Sequence, residues 1–563
     1  MALSKRDREF RLRKISYLEL KQLDMDRVLT ALFARLAHNG YPSRLGRNFD
    51  VTTEAFVEEF LEHPEWFSGF QSHRDILARW IETDLMDMVN RGKPDQAIAS
   101  PRPLHGFTYR FRNKQSRSYG GAQHLYEMLY HARGGAGQKA IEHLHYFFFQ
   151  GHDKVTGLPD NGATLDVETQ ALLRLVDQVS DTADTRVPRE SFPPLCVGSA
   201  DLLAEDVMRL LCYQGFIPRS VMVEYLKVLL SFHLALYHLR LFKLLPSLVR
   251  RKGVDPTCAE CPMSPKSMDD PHGDCQHRPG LLVDVASRPG TPTAALAERS
   301  ADAHYRRIPS FVKAYFITRK MDEFATDLVR RGKLTKPTNG DFSVGEVLQL
   351  LGPTHTNERE VYFAQRVYSL TQDSSASADT DLDPELRAVV EMGLNEFDTY
   401  IEMLVALRGR FHGKYVAQCM DSLLMKNRPG ALVAGPRAKG GGNMRFVLDS
   451  RLLEVLLQLA VLRPGGTRGY HTGELRVDGV LTFLCERYGL YVDRLPPGDG
   501  FGTPSITDRR ALRANRDAFV SRLREVGFYR DLSDAYVTQT VTPRYQIDAI
   551  GAVADAMDEG GKA

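Results

Sequence analysis

The sequence predicts a mainly α-helical, multi-domain protein with a zinc-stapled loop and a small C-terminal α+β module of winged-helix type. Three observations carry this. The chain has 563 residues, past the length at which one core keeps growing, so roughly three or four domains are expected. Apolar residues recur at helical spacing through most of it, and alternating strand-like runs are few. Three cysteines and two histidines fall between Cys258 and His277. A 43% hydrophobic and 26% charged composition is ordinary for a globular protein and argues against disorder or a membrane protein. With 73 basic against 71 acidic residues there is no global basic field, so any nucleic-acid binding must come from local patches.

The elements follow in order. The N-terminal "MALSKRDREFRLRKISYLELKQ" carries Asp7, Glu9 and Glu19 and no apolar run of signal-peptide length, so no secretion signal is expected. Residues 1–120 read as an N-terminal helical domain, with Trp66 and Trp80 as anchors and a basic, aromatic segment at its end. Residues 121–370 read as a central helical domain with helices at Ala122–His131 and Gln138–Phe149, then a turn-rich stretch at Gly151–Gly162. Its strongest helix runs from Ser220 to Leu245: Ser220 can cap it, Pro246 should stop it, and only a narrow stripe of Glu224, Lys227 and Ser231 is polar. Lys227 and Arg240 leave too short an uncharged run to cross a bilayer, so a buried helix and no membrane association are expected. The acidic "TQDSSASADTDLDPE" is the best linker, with a helical connector at 384–430 beyond it. From 431 to 563 the runs "ALVAG" and "MRFVL", helices at Asp449–Val461, Glu474–Tyr488 and Asp508–Val526, and the strand-like "LYVDRL" suit a winged-helix-like module; an unnamed small α+β domain suits them too.

The stretch "CAECPMSPKSMDDPHGDCQH" places Cys258, Cys261, Cys275 and His277 as C-x2-C-x13-C-x-H. Two close ligand pairs joined by a short loop can surround a tetrahedral zinc ion with thiolates and an imidazole, and four ligands make the site structural rather than catalytic. The intervening Pro, Gly and Asp residues build no core, so an ion would supply the order. His272 is an alternative to His277, and unligated thiols are the plain alternative to a metal. Seven cysteines, thinly spread elsewhere, do not make a disulfide framework, which favours a reducing cytoplasm.

Two segments have the composition of nucleic-acid contacts. In "GFTYRFRNKQSRSYGG", Arg110, Arg112, Lys114 and Arg117 interleave with Phe107, Tyr109, Phe111 and Tyr119: cations for phosphates, rings for bases. A strand with a buried aromatic face would give the same alternation. Arg437, Lys439 and Arg445, with Lys426 and Arg428 nearby, flank the expected C-terminal hairpin, where a solvated loop is the alternative. A metal-dependent phosphohydrolase or nuclease of the His-Asp type is the competing enzyme reading. It would draw on His124, His152, Asp153 and Asp177, but His152-Asp153 lies in a turn-rich stretch where a helix is needed. No phosphate-cradling glycine loop, G-x-S-x-G elbow or helical H-E-x-x-H is present.

The passages "RLLCYQGFIPRSVMVEYLKVLLSFHLALYHLRLF" and "LREVGFYRDLSDAYVTQTVTPRY" resemble the accessory proteins of bacterial antiphage defence islands, of the methylation-associated defence system type. That resemblance implies a non-enzymatic, scaffolding or nucleic-acid-contacting subunit. Its partners would be the other subunits of a defence complex and possibly DNA.

Overall fold

The computed structural model describes residues 4–44, 52–111, 115–151, 165–176, 182–186, 189–259, 261, 275–338, 340–375, 384–435, 443–465, 469–530 and 539–548. As expected, the chain is mainly helical. Helix Arg219–Arg250 is its axis, packed against helices Val197–Leu211, Ile308–Arg330, Glu396–Leu424 and Ser450–Ala460. It is long and apolar enough to span a membrane, but 94% of its most apolar window is buried inside the protein, so it is a core helix. It also runs past the expected stop: Pro246 lies inside it. Proline removes one backbone donor and crowds the preceding turn, yet Leu244, Leu245 and Leu248 are buried on either side, and that packing outweighs the local loss.

A helix apolar on nearly every side must have its few polar groups met from elsewhere. Lys227 is paired with Asp26 at 2.7 Å and Glu224 at 2.6 Å. Ser231 donates to the Leu423 carbonyl at 3.0 Å, Tyr237 to that of Ile15 at 2.9 Å, and His238 Nε2 meets the Ser16 hydroxyl at 3.0 Å. Apart from Glu224 on the axis itself, these partners lie on helix Met25–Ala37, helix Glu396–Leu424 and the extended segment at Ile15 and Ser16, so the polar stripe fixes what packs around the axis.

The N-terminal region contains helices Met25–Ala37, Thr53–Glu62 and Arg74–Trp80, with Trp66 and Trp80 in an aromatic cluster around Phe60. Strands Met86–Val89 and Ala97–Pro101 form an antiparallel hairpin with a bulge between Asp87 and Met88, which helical spacing did not reveal. Helices Gly121–Tyr130 and Ala136–Phe149 pack with Val197–Leu211. Of the expected linker, residues 376–383 lie outside the described residues, and helices Thr356–Ser375 and Pro384–Glu391 flank them.

The C-terminal part shares its core with the middle of the chain. Leu281–Leu282 pairs in parallel with Leu490–Tyr491, and helix Pro292–Tyr305 packs on strand Arg445–Phe446 and helix Ile506–Glu525. Gly489 ends the preceding helical turn with φ 74°, and a Cβ there would sit 2.0 Å from the Pro279 carbonyl oxygen, so only glycine lets the two strands meet. Strands Val433–Ala434 and Arg445–Phe446 form the expected hairpin. A three-stranded antiparallel sheet has the order Tyr529–Arg530, Thr540–Val541, Leu475–Arg476. One contiguous apolar cluster runs from Phe10 to Ile547, crossing every boundary that composition suggested.

Asp206 ties three of these parts together. It is fully buried and accepts from His233 Nε2 at 2.9 Å on the axial helix, from Arg487 Nε at 3.0 Å and from the Tyr488 hydroxyl at 2.8 Å. Burial alone would raise its pKa, but Arg487 and His233 override this and hold it well below the usual carboxylate range. A depressed carboxylate contributes stability that is full above its unfolded pKa of about 3.9 and is lost as pH falls through the lower folded value. Asp206→Asn is expected to cost about 3–5 kcal/mol in urea unfolding at neutral pH, because buried Arg487 loses its main counter-charge and retains Glu205 at 3.1 Å. Adding Arg487→Met should recover part of the loss; a single variant as stable as the wild type would show that the hub is dispensable.

Candidate metal centre and basic surfaces

The cysteine–histidine cluster lies where the axial helix ends and strand Leu281–Leu282 begins. Asp255 follows the helix, and the single turn Pro256–Ala259 presents Cys258, with its amide bonded to the Asp255 carbonyl at 3.1 Å. Arg278 N–H donates to the Cys275 carbonyl at 2.8 Å, turning the chain so that His277 faces inward. The ligand atoms of Asp255, Cys258 and His277 lie within 4.8 Å of one another. Cys261 and Cys275 are half-buried and stand just outside that group. Most of the intervening loop, including His272, lies outside the described residues.

The electrostatics identify these groups as one cluster. Burial is the first cause pushing the Cys258 thiol up to about 12, although the residue as a whole is exposed; Asp255, Cys196, Cys275 and Cys261 then add to it. The Cys275 thiol is raised by burial and next by Cys196. His277 Nε2 meets Asp255 Oδ2 at 2.9 Å; burial lowers its pKa against the opposing pull of that carboxylate. Imidazole backed by carboxylate, beside several thiols, is the donor chemistry that zinc takes, and metal-bound histidines commonly present their other nitrogen to a carboxylate.

One member of the group, Asp255, was not legible in the motif. Asp255 precedes the first cysteine and reads as an ordinary turn residue. Cys196 lies far upstream as the N-cap residue of helix Val197–Leu211. Ser199 donates to its sulfur at 3.2 Å.

Of the four residues of the enzyme reading, His124 alone lies among the described residues. His124 is buried against Tyr237 and His238, and burial first, then His238, lowers its pKa well below 6.5. Its Nε2 has no hydrogen-bond partner among the described residues, so His124 is a core residue. His152, Asp153 and Asp177 lie outside the described residues.

The basic aromatic segment is a 3-10 turn, Gly106–Phe111, not a strand. Phe107, Tyr109 and Phe111 are buried, so these rings are closed to bases. Arg110 lies over the Phe107 ring at 4.4 Å, Arg117 is exposed, and Arg112 and Lys114 lie outside the described residues. In the C-terminal part Arg437 and Lys439 also lie outside them. Arg445 requires a correction: it is 5% exposed and paired with buried Asp284 at 3.3 Å, so it braces the fold and does not face a phosphate. The exposed basic face is on helix Ile506–Glu525, where Arg509, Arg510 and Arg513 point outward and none is ion-paired among the described residues. Spacing alone did not single them out, because the helix also carries Arg516, paired with Asp478 at 2.6 Å, and Arg522, paired with Glu525 at 2.9 Å.

No curated protein matches the chain at a significant level. The family described as Methylation-associated defense system protein MAD7 matches residues 5–545, which takes in the helical core, the cysteine–histidine cluster and the arginine-bearing helix. The chain therefore belongs to the methylation-associated defense system protein MAD7 family.

Proposed function

We propose that this protein is a non-enzymatic, zinc-stapled subunit of a cytoplasmic multi-protein antiphage complex, and that it contacts duplex DNA through its C-terminal part. The observation that carries the DNA reading is the order of elements there. Helix Ser450–Ala460, strand Leu475–Arg476, helix Val477–Phe483, helix Ile506–Glu525 and strands Tyr529–Arg530 and Thr540–Val541 come in this order, with strands Leu462–Pro464, Tyr470–Thr472 and Leu490–Tyr491 interposed and Thr540–Val541 central in its sheet. That is the succession of a winged helix, in which the third helix lies against DNA. Here this helix carries the unpaired Arg509, Arg510 and Arg513, while its opposite face, Leu512, Asn515, Phe519 and Leu523, is buried. Cations without sequence-reading partners suit phosphate contacts, which position a protein without specifying a sequence. With the chain near electrical neutrality, such binding depends on this patch alone.

A zinc ion in the cysteine–histidine cluster is the second part of the reading. Cys258, Cys261 and Cys275 supply sulfur, and His277 is the fourth ligand that the spacing names. The support is the group that Asp255, Cys258 and His277 form at the end of the axial helix, their ligand atoms within 4.8 Å of one another, with the motif's other two cysteines half-buried. Such an ion would close the loop onto the strand that pairs with Leu490–Tyr491, holding the C-terminal part to the axis.

Two outcomes are expected. In a salt titration of the full chain on duplex DNA, Arg509→Ala, Arg510→Ala and Arg513→Ala together should flatten the log–log slope by about 2.7, since each lost phosphate contact removes about 0.9; an unchanged slope would sink the assignment of this helix. Protein purified without added metal should contain about one zinc per chain, and Cys258→Ser with Cys261→Ser should reduce it. A metal-free wild type, equally stable with and without a chelator, would overturn the zinc reading.

A further inference from the structure

A second stretch of the chain interleaves cations with rings, and the fold gathers it around a cavity. Helix Glu396–Leu424 carries Arg408, Arg410, Phe411, His412, Lys414 and Tyr415 close together. Phe411, His412 and Tyr415 line a surface cavity of about 190 Å³ with Phe10 and Tyr315. Its rings are already stacked: Phe10 lies nearly parallel to His412 at 4.1 Å and to Tyr315 at 4.3 Å between ring centres. Phe411 meets Tyr415 at 4.7 Å yet is 47% exposed, so ring surface is left open at the cavity. The volume is below the about 300–1,000 Å³ of pockets that enclose a drug-sized molecule; it admits one flat ring system and leaves the rest of its guest outside.

The charges say what that remainder must be. Arg408 lies over the Phe411 ring at 5.5 Å, Arg410 and Lys414 are exposed, and none of the three is ion-paired among the described residues. Arg11 and Lys21 also line the cavity, and the carboxylate between them in sequence, Glu19, is already matched by Arg11 at 3.5 Å and Lys21 at 3.7 Å. The Glu19 N–H donates to the Tyr119 carbonyl at 2.9 Å and Lys21 lies over the Tyr119 ring at 5.1 Å, which brings the segment of exposed Arg117 to this wall. Rings within and unmatched cations outside call for a guest that is flat at one end and anionic at the other. An unpaired nucleotide of a single strand is both. An acidic peptide would satisfy the cations and leave the rings without a partner, and a duplex keeps its bases stacked inside, out of the cavity's reach.

We propose that this cavity binds an unpaired base of single-stranded nucleic acid, with Phe411 and Tyr415 stacking on the base and Arg408, Arg410 and Lys414 holding the neighbouring phosphates. The site lies on other elements than helix Ile506–Glu525 and the cysteine–histidine cluster, and depends on neither. The test is fluorescence anisotropy of the full chain with a labelled oligothymidylate, the same strand made abasic, and a duplex. The wild type should bind oligothymidylate in preference to the abasic strand. Phe411→Ala and Tyr415→Ala, at positions that are not buried, should each weaken oligothymidylate binding by about 5- to 150-fold, erase that preference and leave duplex binding unchanged. Arg408→Ala, Arg410→Ala and Lys414→Ala together should flatten the log–log salt slope on the single strand by about 2.1, at about 0.7 for each lost phosphate contact. Arg509→Ala, Arg510→Ala and Arg513→Ala together should weaken the duplex and spare the single strand, so the two sites fail separately. A wild type that binds no single strand or binds the abasic strand equally well, or ring variants that bind as the wild type does, overturns the proposal. So does polyglutamate that displaces oligothymidylate from the wild type and loses affinity in the ring variants, which would assign the cavity to an acidic polypeptide.

Discussion

The structure depends on the burial of helix Arg219–Arg250. A helix with an apolar surface on nearly every side cannot choose its neighbours by hydrophobicity, because any apolar face would serve. Selection falls to its few polar side chains, each of which must be met where it emerges. Lys227 draws in Asp26 of the N-terminal helix, Ser231 the end of helix Glu396–Leu424, His233 the Asp206 hub, and Tyr237 and His238 the extended segment at Ile15 and Ser16. The sequence order of these partners, from Ile15 to Leu423, shows that the axis gathers distant parts of the chain into one body. Arg240 is the member of the stripe whose needs this protein scaffold meets least, with the Ser199 hydroxyl for a partner and two guanidinium nitrogens unmet.

Much of the helical architecture was legible because helix signals are local. Ser450–Ala460 has Asp449 at its N-cap, and Ile506–Glu525 has a Ser505–Asp508 capping box, both readable from neighbouring residues. Gly489 marked the end of a helix and the turn into a strand for the same reason. Pro246 misled because its effect is weighed against tertiary packing, which a local rule does not contain. The two- and three-residue strands were only partly legible: a pair as short as Leu281–Leu282 with Leu490–Tyr491 has too few residues to show alternation, and its two members lie 209 residues apart in sequence. Domain boundaries are hard to read from composition for a related reason. Composition shifts mark loops, but the apolar cluster continues across them.

The candidate site divides in the same way. Cys258, Cys261, Cys275 and His277 are neighbours in sequence and were visible as a motif. Asp255 stands with Cys258 and His277 but carries no spacing signal, being a common turn residue. A motif finds the donors whose residue types it names; it is blind to one that the end of a helix supplies.

Arginine shows why charge patterns are harder to read than helices. Arg240, Arg445 and Arg487 are buried and serve the interior, bonded to Ser199, Asp284 and Asp206 respectively. Arg509, Arg510 and Arg513 stand outward on one helix face. Nothing in the local sequence separates the two groups, since "MRFVL" and "DRRALRAN" are both arginines among apolar residues. What separates them is a carboxylate or hydroxyl supplied by another part of the chain. An arginine whose counter-charge lies inside the fold is spent on structure; one whose counter-charge is missing defines what must come from outside. On the surface helix Arg509, Arg510 and Arg513 are exposed and have no such partner among the described residues, whereas Arg240, closed to solvent, has the Ser199 hydroxyl alone.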